Sequence, residues 1–129
     1  LVVFFYKYMN KKYILKKNYE IEKLVKKRNS VGDQYYAIYY NETINKMPKI
    51  AISISKHIGN AVVRNYEKRV HREIIRAMMC DLEHLEILFV IKQKSLMLST
   101  QEKNEKIKRL VEIINKKRRI KWKKRKLYH

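Results

Sequence analysis

Residues 50–79, IAISISKHIGNAVVRNYEKRVHREIIRAMM, change from a strand pattern to a helix pattern at a single glycine. Apolar and polar residues alternate from Ile52 to Ser55, which predicts a half-buried strand. Gly59 and Asn60 then mark a turn, and the apolar residues that follow recur at helical spacing. The sequence therefore predicts a helix over residues 60–79, with Asn60 as its N-cap.

This predicted helix has two opposite faces. Its apolar stripe is expected to face a sheet and consists of Val63, Val70, Ile74, Ala77 and Met78. Nearly opposite runs a row of cations at i+4 intervals, with Arg69 on its flank: Arg64, Lys68, Arg72 and Arg76. Like charges at this spacing repel by roughly 0.2–0.5 kcal/mol per pair, and a phosphate backbone in front of them removes the repulsion. The row therefore favours a nucleic-acid contact over a merely solvated face.

The residues before this helix predict a helix and at least two strands. A helix is predicted to begin near Asn18, with acids in its first turn and Lys27 and Arg28 at its end. The β-forming residues from Tyr35 to Tyr40 predict a strand, and a further short strand near Ser30 is easily missed. The spacing to the strand near residue 50 suits an antiparallel hairpin with a long loop.

After the central helix, the apolar run Leu85–Ile91 is long enough for a central strand. Ser99 or Thr100 is predicted to cap a last helix, which continues into a basic run around Trp122. That run is either an additional RNA contact with indole stacking or a disordered tail that acts through charge. The residues alone thus predict an α+β single domain with helices packed on one sheet.

Composition narrows the class of partner. The chain has 129 residues and a formal net charge of +20, so nucleic acid is the first candidate partner and an acidic membrane surface the second. Cys80 is the single cysteine, which fits a reducing, cytoplasmic compartment. The apolar start is far shorter than the roughly 20 residues that span a bilayer. Residues 1–8 are interpreted as a non-native or disordered extension before Met9, with a genuine arm as the alternative.

The segment from Ser53 to Glu73 resembles the bacterial ribonuclease P protein. That family reads Ser-x-Ser-Lys-Lys-x-Gly-Asn-Ala-Val-x-Arg-Asn-Arg-x-Lys-Arg-x-x-Arg-Glu, and similarity in type extends over about residues 11–120. The resemblance implies one domain over residues 9–120 followed by a basic tail, 121–129. It implies α-β-β-β-α-β-α order, a left-handed βαβ crossover and helices on a mixed four-stranded sheet.

The resemblance also implies a function. Such a protein joins a catalytic RNA, one to one, and assists the Mg²⁺-dependent removal of the 5′ leader from precursor tRNA. Mg²⁺ is held by the RNA and the substrate, the protein has no catalytic or metal-binding residue of its own, and no membrane is involved. The residues implied to contact the catalytic RNA are Lys56, Asn60, Arg64, Asn65, Lys68, Arg69 and Arg72. Those implied to line the leader cleft are Ile21, Val25 and Tyr39, whereas Tyr36 is assigned to the core.

The sequence departs from the family pattern at several of these places. Ile21 and Val25 stand where the family usually has aromatic residues, so apolar packing would replace stacking there. Tyr66 replaces the second Arg of the Arg-Asn-Arg motif. Glu67 falls on the inward stripe, where an unpaired carboxylate is costly, so we predict a basic partner or an exposed helix turn.

Other classes of function fit the sequence less well. The four histidines show no metal-ligand spacing with Cys80, and no paired carboxylates suggest a protein-only nuclease. A DNA-binding regulator is disfavoured because no helix-turn-helix spacing is present. The main alternative is a ribosome-associated or general RNA-binding protein of similar fold.

Overall fold

The computed structural model describes residues 2–4, 18–26 and 29–127. Its elements in chain order are β1 (Val2–Phe4), α1 (Asn18–Lys26), β2 (Ser30–Gly32), β3 (Tyr36–Glu42), β4 (Lys49–Ile54), α2 (Ala61–Ala77), β5 (Leu85–Ile91) and α3 (Thr100–Leu127). After β1 the order is α-β-β-β-α-β-α, which confirms the prediction, including the short strand at Ser30. Lys27, Arg28 and most of the segment 1–8 lie outside the described residues.

All the described strands form one mixed sheet in the order β1-β4-β5-β3-β2. β5 pairs in parallel with β4 and antiparallel with β3, so the prediction that Leu85–Ile91 is a central strand is confirmed. The predicted hairpin between β3 and β4 is wrong, because β5 lies between them. β5 has buried apolar side chains on both of its faces, and only an inner position in the sheet covers both. The left-handed crossover of the β4-α2-β5 unit stays a prediction.

β1 adds a fifth strand at the outer edge of β4. Val2 is opposite Ile54 and Phe4 is opposite Ile52, in antiparallel register. The interpretation of residues 1–8 as a non-native or disordered extension stays a prediction, although residues 2–4 pair as a strand. The physical reason is that β4 has an edge with unpaired backbone groups, and a short run of β-forming residues satisfies them.

The two faces of the sheet are covered by different helices. α2 and α3 pack on one face, over buried side chains that include Tyr36, Ile38, Ile52 and Phe89. α1 packs on the other face, where Ile21 belongs to a smaller apolar cluster with Ala51, Leu88, Tyr39 and Val90. Tyr36 and Tyr39 thus lie on opposite faces, as their spacing predicts, and Tyr36 belongs to the core.

α3 begins with a reciprocal cap and ends in the basic run. The Glu102 amide donates to Ser99 Oγ (3.2 Å) and the Ser99 amide donates to Glu102 Oε1 (3.1 Å), so Ser99 is the cap. The helix continues to Leu127, so the described part of the basic run is helical and not a disordered tail. None of the described helices has the length and apolar character needed to cross a membrane.

Candidate nucleic-acid interface

A rigid turn joins β4 to α2. Gly59 has a φ of +60°, and a Cβ there would lie 2.9 Å from the side chain of Val63, so only glycine fits. Asn60 is the N-cap as predicted, since its Oδ1 accepts from the Val63 amide at 3.0 Å. The Arg64 guanidinium donates to the backbone oxygens of Lys56 (2.8 Å) and Gly59 (2.9 Å). These bonds fix the direction in which α2 leaves the sheet.

The cations on α2 form a continuous basic row. Arg64, Lys68 and Arg72 are each half-buried and follow one another at one-turn intervals. The pKa of Lys68 is lowered by burial and by the adjacent charges of Arg72 and Arg64. The three cations therefore lie within one another's fields, and an anion in front of the row relieves a repulsion that is present in the free protein.

The flank of the row carries an aromatic side chain. Tyr66 is 48% exposed, and the Arg69 guanidinium lies 5.8 Å from the centre of its ring. The residue that departs from the family pattern therefore presents an aromatic ring beside the row. Arg76 is paired with Glu73 at 3.5 Å, so the row ends in a partly neutralised position.

The other residues implied to contact RNA lie around this row. Four of them are exposed: Lys56, Asn60 at the helix cap, Asn65 and Arg69. Six of the seven residues of the implied set lie on α2 or at its cap, and Lys56 adjoins Arg64 in the turn before it. The set consists of Lys56, Asn60, Arg64, Asn65, Lys68, Arg69 and Arg72. We call this surface the α2 face.

The opposite side of α2 is held by a buried ion pair. Glu67 is 4% exposed, and both of its carboxylate oxygens accept from Lys103 Nζ at 3.0 Å. The prediction of a basic partner for Glu67 is confirmed. Ala77, predicted to face the sheet, is exposed, because the buried side of α2 is centred on Glu67, His71 and Ile75. Glu67 lies on the inward side as predicted, whereas the predicted stripe omits His71 and Ile75, which are buried.

His71 continues this buried network towards the sheet. Its Nδ1–H donates to the backbone oxygen of Glu67 (2.6 Å), and its Nε2 accepts from the Tyr36 hydroxyl (2.7 Å). A carbonyl only accepts, so Nδ1 carries a proton, and Nε2 accepts from the tyrosine hydroxyl when the ring is neutral. Burial lowers the pKa of His71 to about 4. Its position four residues after Glu67 could have indicated this role.

We expect the free energy of unfolding to fall by about 2 kcal/mol between pH 7 and pH 5 because of His71. The folded-state pKa of about 4 lies below the ordinary 6.5, so the unfolded chain binds the proton first as the pH falls. This loss starts near pH 6.5 and is complete below about pH 4. Urea unfolding at a series of pH values measures it. His71→Gln should flatten the slope and His57→Gln, at an exposed site, should not; an unchanged slope in His71→Gln contradicts the assignment.

The residues implied to bind the leader lie on the α1 side of the sheet. Tyr39 is half-buried and Val25 is 41% exposed, whereas Ile21 is 8% exposed and fills the space between α1 and the sheet. Tyr39 and Val25 are therefore the accessible members of the set. Among the described residues, no three His, Cys, Asp or Glu side chains converge to hold a metal ion.

Residues 9–115 match the sequence model of the family described as Ribonuclease P. The chain belongs to the ribonuclease P protein family. It is therefore the protein component of a ribonucleoprotein endoribonuclease that processes tRNA, and the resemblance read from Ser53–Glu73 is confirmed.

Relatives and solved structures agree with this membership. The ribonuclease P protein component of Macrococcus caseolyticus is 33% identical over 106 residues, which cover 81% of this chain and 92% of the relative. That of Staphylococcus aureus is 31% identical over 114 residues, which cover 84% of this chain and 98% of the relative. The structure of the S. aureus RNase P protein has a TM-score of 0.73 at 26% identity, covering 79% and 94%. The RNase P protein from Thermotoga maritima, at 19% identity and a TM-score of 0.70 over 76% and 94%, shares the fold.

Proposed function

We propose that this ribonuclease P protein binds the catalytic RNA through the α2 face and the 5′ leader of precursor tRNA through the α1 side of the sheet. In this way it assists removal of the leader to give the mature 5′ end. The observation that carries the proposal is the row Arg64, Lys68 and Arg72, on a helix whose buried side is anchored by the Glu67–Lys103 pair.

The α2 face has the chemistry that RNA backbone binding requires. Successive members of the row are separated by about 6 Å along the helix axis, so each is able to meet a different phosphate. Arg72 is able to grip a phosphate with two parallel hydrogen bonds, whereas Lys68 acts as a point charge. The exposed ring of Tyr66 adds a surface for an unpaired base. Binding by such a face is expected to depend strongly on salt.

The leader side has a different character. Tyr39 and Val25 offer aromatic and apolar surface beside the sheet, which suits the packing of unpaired bases. Sequence-independent stacking of this kind fits a substrate segment that differs from one precursor tRNA to another. The role of Ile21 in this proposal is to hold α1 on the sheet.

Mg²⁺ belongs to the RNA in this proposal. The α2 face consists of cations and amides, which repel or bind weakly a hard divalent cation that prefers carboxylate oxygens. The chain's own residues bind and orient RNA, and hydrolysis is supplied by Mg²⁺ held by the catalytic RNA and the substrate. We further propose one protein per catalytic RNA and, from the single cysteine, a cytosolic location.

Reconstitution with the catalytic RNA of the same source tests the proposal. We expect the protein to stimulate leader release from precursor tRNA at low Mg²⁺ and physiological salt, and to give no cleavage without the RNA. Absence of stimulation over a range of Mg²⁺ concentrations, with a protein that unfolds cooperatively, would overturn the proposal. Binding to ribosomal RNA at equal affinity would then favour the general RNA-binding alternative.

Tyr39→Ala is expected to weaken holoenzyme binding of precursor tRNA by about 5- to 100-fold, since stacking contributes roughly 1–3 kcal/mol per base. Binding of mature tRNA, which has no leader, should change little. Equilibrium binding to both tRNA forms measures the difference. Tyr35→Ala, at a half-buried tyrosine beside Lys106 on the α3 side, is the matched control. Equal losses for the two tRNA forms would contradict a leader role for Tyr39.

A further inference from the structure

The part of α3 beyond Ile114 carries no acid, and its large apolar side chains Ile120 and Trp122 are 47% and 57% exposed. Ile114 is the last buried residue among the side chains of this helix that the structure describes. Nine of the twelve residues from 116 to 127 are Lys or Arg, and the last acid before them is Glu112. Like charges at i+4 destabilise a helix, so this segment has a larger unrelieved repulsion than the α2 face. Such a segment is stabilised by a resident polyanion.

Part of this segment forms one wall of a groove of about 430 Å³. Lys117, Lys121 and Arg125 line it at one-turn intervals from α3. The opposite wall is formed by the C-terminal end of β3, the two residues that follow it, and Asn29 before β2. Beside Tyr40 and Ile44 it carries three neutral polar side chains: Asn29, Asn41 and Thr43. Four cations line the groove, counting Arg118, against one acid, Glu42. The groove is therefore both positively charged and supplied with neutral hydrogen-bonding groups. We call it the α3 groove.

The α3 groove is fixed by hydrogen bonds to the body of the domain. Arg118 donates to the backbone oxygen of Glu83 (2.9 Å) and to Asn115 Oδ1 (2.8 Å). Asn115 in turn donates to the backbone oxygen of Asp81 (2.9 Å). These bonds tie α3 to the segment before β5, so the cationic wall is held at a set distance from the polar wall without any ligand.

We propose that the α3 groove is a second RNA-binding surface, which takes the sugar-phosphate backbone of the catalytic RNA. The proposal rests on the proposed function. The three cations suit phosphates, and the Asn and Thr side chains suit phosphate oxygens and 2′-hydroxyls. The match to the family ends at residue 115, so Lys117, Lys121 and Arg125 lie beyond it.

The catalytic RNA fits this groove better than the substrate does. A bound subunit neutralises the α3 segment continuously, whereas a substrate would leave its repulsion unrelieved after every turnover. The groove is also far from the α2 face. From Lys103, which contacts α2, to Lys121 is a distance of about 27 Å along the helix. The two surfaces therefore contact different nucleotides of one large RNA.

The test compares two triple variants with the same loss of charge. In the groove variant, Lys117, Lys121 and Arg125 are each replaced by Gln. In the control, Lys116, Arg119 and Lys123, exposed on the opposite side of the same helix segment, are each replaced by Gln. Equilibrium binding of the catalytic RNA alone is measured between 0.1 and 0.5 M salt. Hydroxyl-radical footprinting then maps the nucleotides that each variant no longer protects.

The groove variant is expected to lose on the order of 100-fold in affinity at about 0.15 M salt, with a salt slope smaller by about 2–3. The control variant should lose less than about 10-fold in affinity. The nucleotides that the groove variant no longer protects should differ from those that Lys68→Ala no longer protects. Equal losses in the two triple variants would overturn the groove, since bulk charge would explain them. A loss only in precursor tRNA binding to the holoenzyme would assign the groove to the substrate and overturn the proposal. If the unmodified protein neither binds the RNA nor stimulates cleavage, the proposed function itself fails.

Discussion

Lys103→Ala is expected to lower the free energy of unfolding by about 3–5 kcal/mol, because it leaves the Glu67 carboxylate buried without a counter-charge. The two side chains are 4% and 5% exposed, so water does not replace the lost ammonium group. The lost charge also lies beside His71, whose ring nitrogen is 3.5 Å from the same carboxylate. Urea unfolding followed by circular dichroism measures the change. A protein too unstable to fold would agree with the expectation.

Two further variants separate the ion pair from simple truncation. Lys108→Ala removes an exposed lysine from the same helix and should change the free energy of unfolding by less than about 0.5 kcal/mol. The double variant Glu67→Leu with Lys103→Met removes both charges and should recover most of the stability, since apolar replacements of buried pairs are close to neutral or stabilising. A single Lys103→Ala variant within about 1 kcal/mol of the unmodified protein would contradict the burial of an ionised pair.

The double variant Lys68→Ala with Arg72→Ala should bind the catalytic RNA about 30-fold more weakly at 0.15 M salt, and its salt slope should fall by about 2. The free energy of unfolding of this variant should rise or stay the same. Removing two members of the row relieves like-charge repulsion within α2, which after burial is the second cause of the lowered pKa of Lys68. Filter binding over a salt series and urea unfolding measure the two effects on the same preparation.

Lys108→Ala with Arg109→Ala is the matched control, because it removes one Lys and one Arg from exposed positions of α3. It should leave the affinity within about 3-fold and the slope within about 1 of the unmodified protein. If both double variants weaken binding equally, the RNA responds to net charge and not to the α2 face. A large loss of stability in the Lys68 and Arg72 variant would instead show that these side chains hold the fold.

The elements of this fold could be predicted from the sequence because each has a local cause. Asn60 caps α2, the apolar run of β5 needs a central position, and the spacing of Tyr36 and Tyr39 separates the faces of β3. The neighbour relations of the strands have no local cause. Nothing in residues 35–55 shows that β5 separates β3 from β4, because that depends on which strand buries two faces.

The features of the site also divide into those that have a local cause in the sequence and those that do not. The need for a partner at Glu67 follows from the cost of burying a carboxylate, but Lys103 lies 36 residues away and has no distinguishing neighbours. The rotation of α2 differs from the predicted one for a related reason: His71 counts as polar in an amphipathic pattern, yet its hydrogen bonds allow it to be buried. The α3 groove was missed because its polar wall comes from a distant part of the chain.

The position of β5 has a consequence for how the domain folds. β3 and β4 both precede β5 in the chain and lie on either side of it, so during synthesis the sheet exists only as separate pairs, β2–β3 and β1–β4. Two-stranded pairs are marginally stable in water, and long-range parallel pairing is slow to form. A nascent chain that has not reached residue 103 also lacks the lysine that fixes the rotation of α2. The basic row thus acquires its fixed position only after residue 103 has been synthesised, so an earlier ribosome-bound intermediate carries the cations of the row without their RNA-recognising geometry.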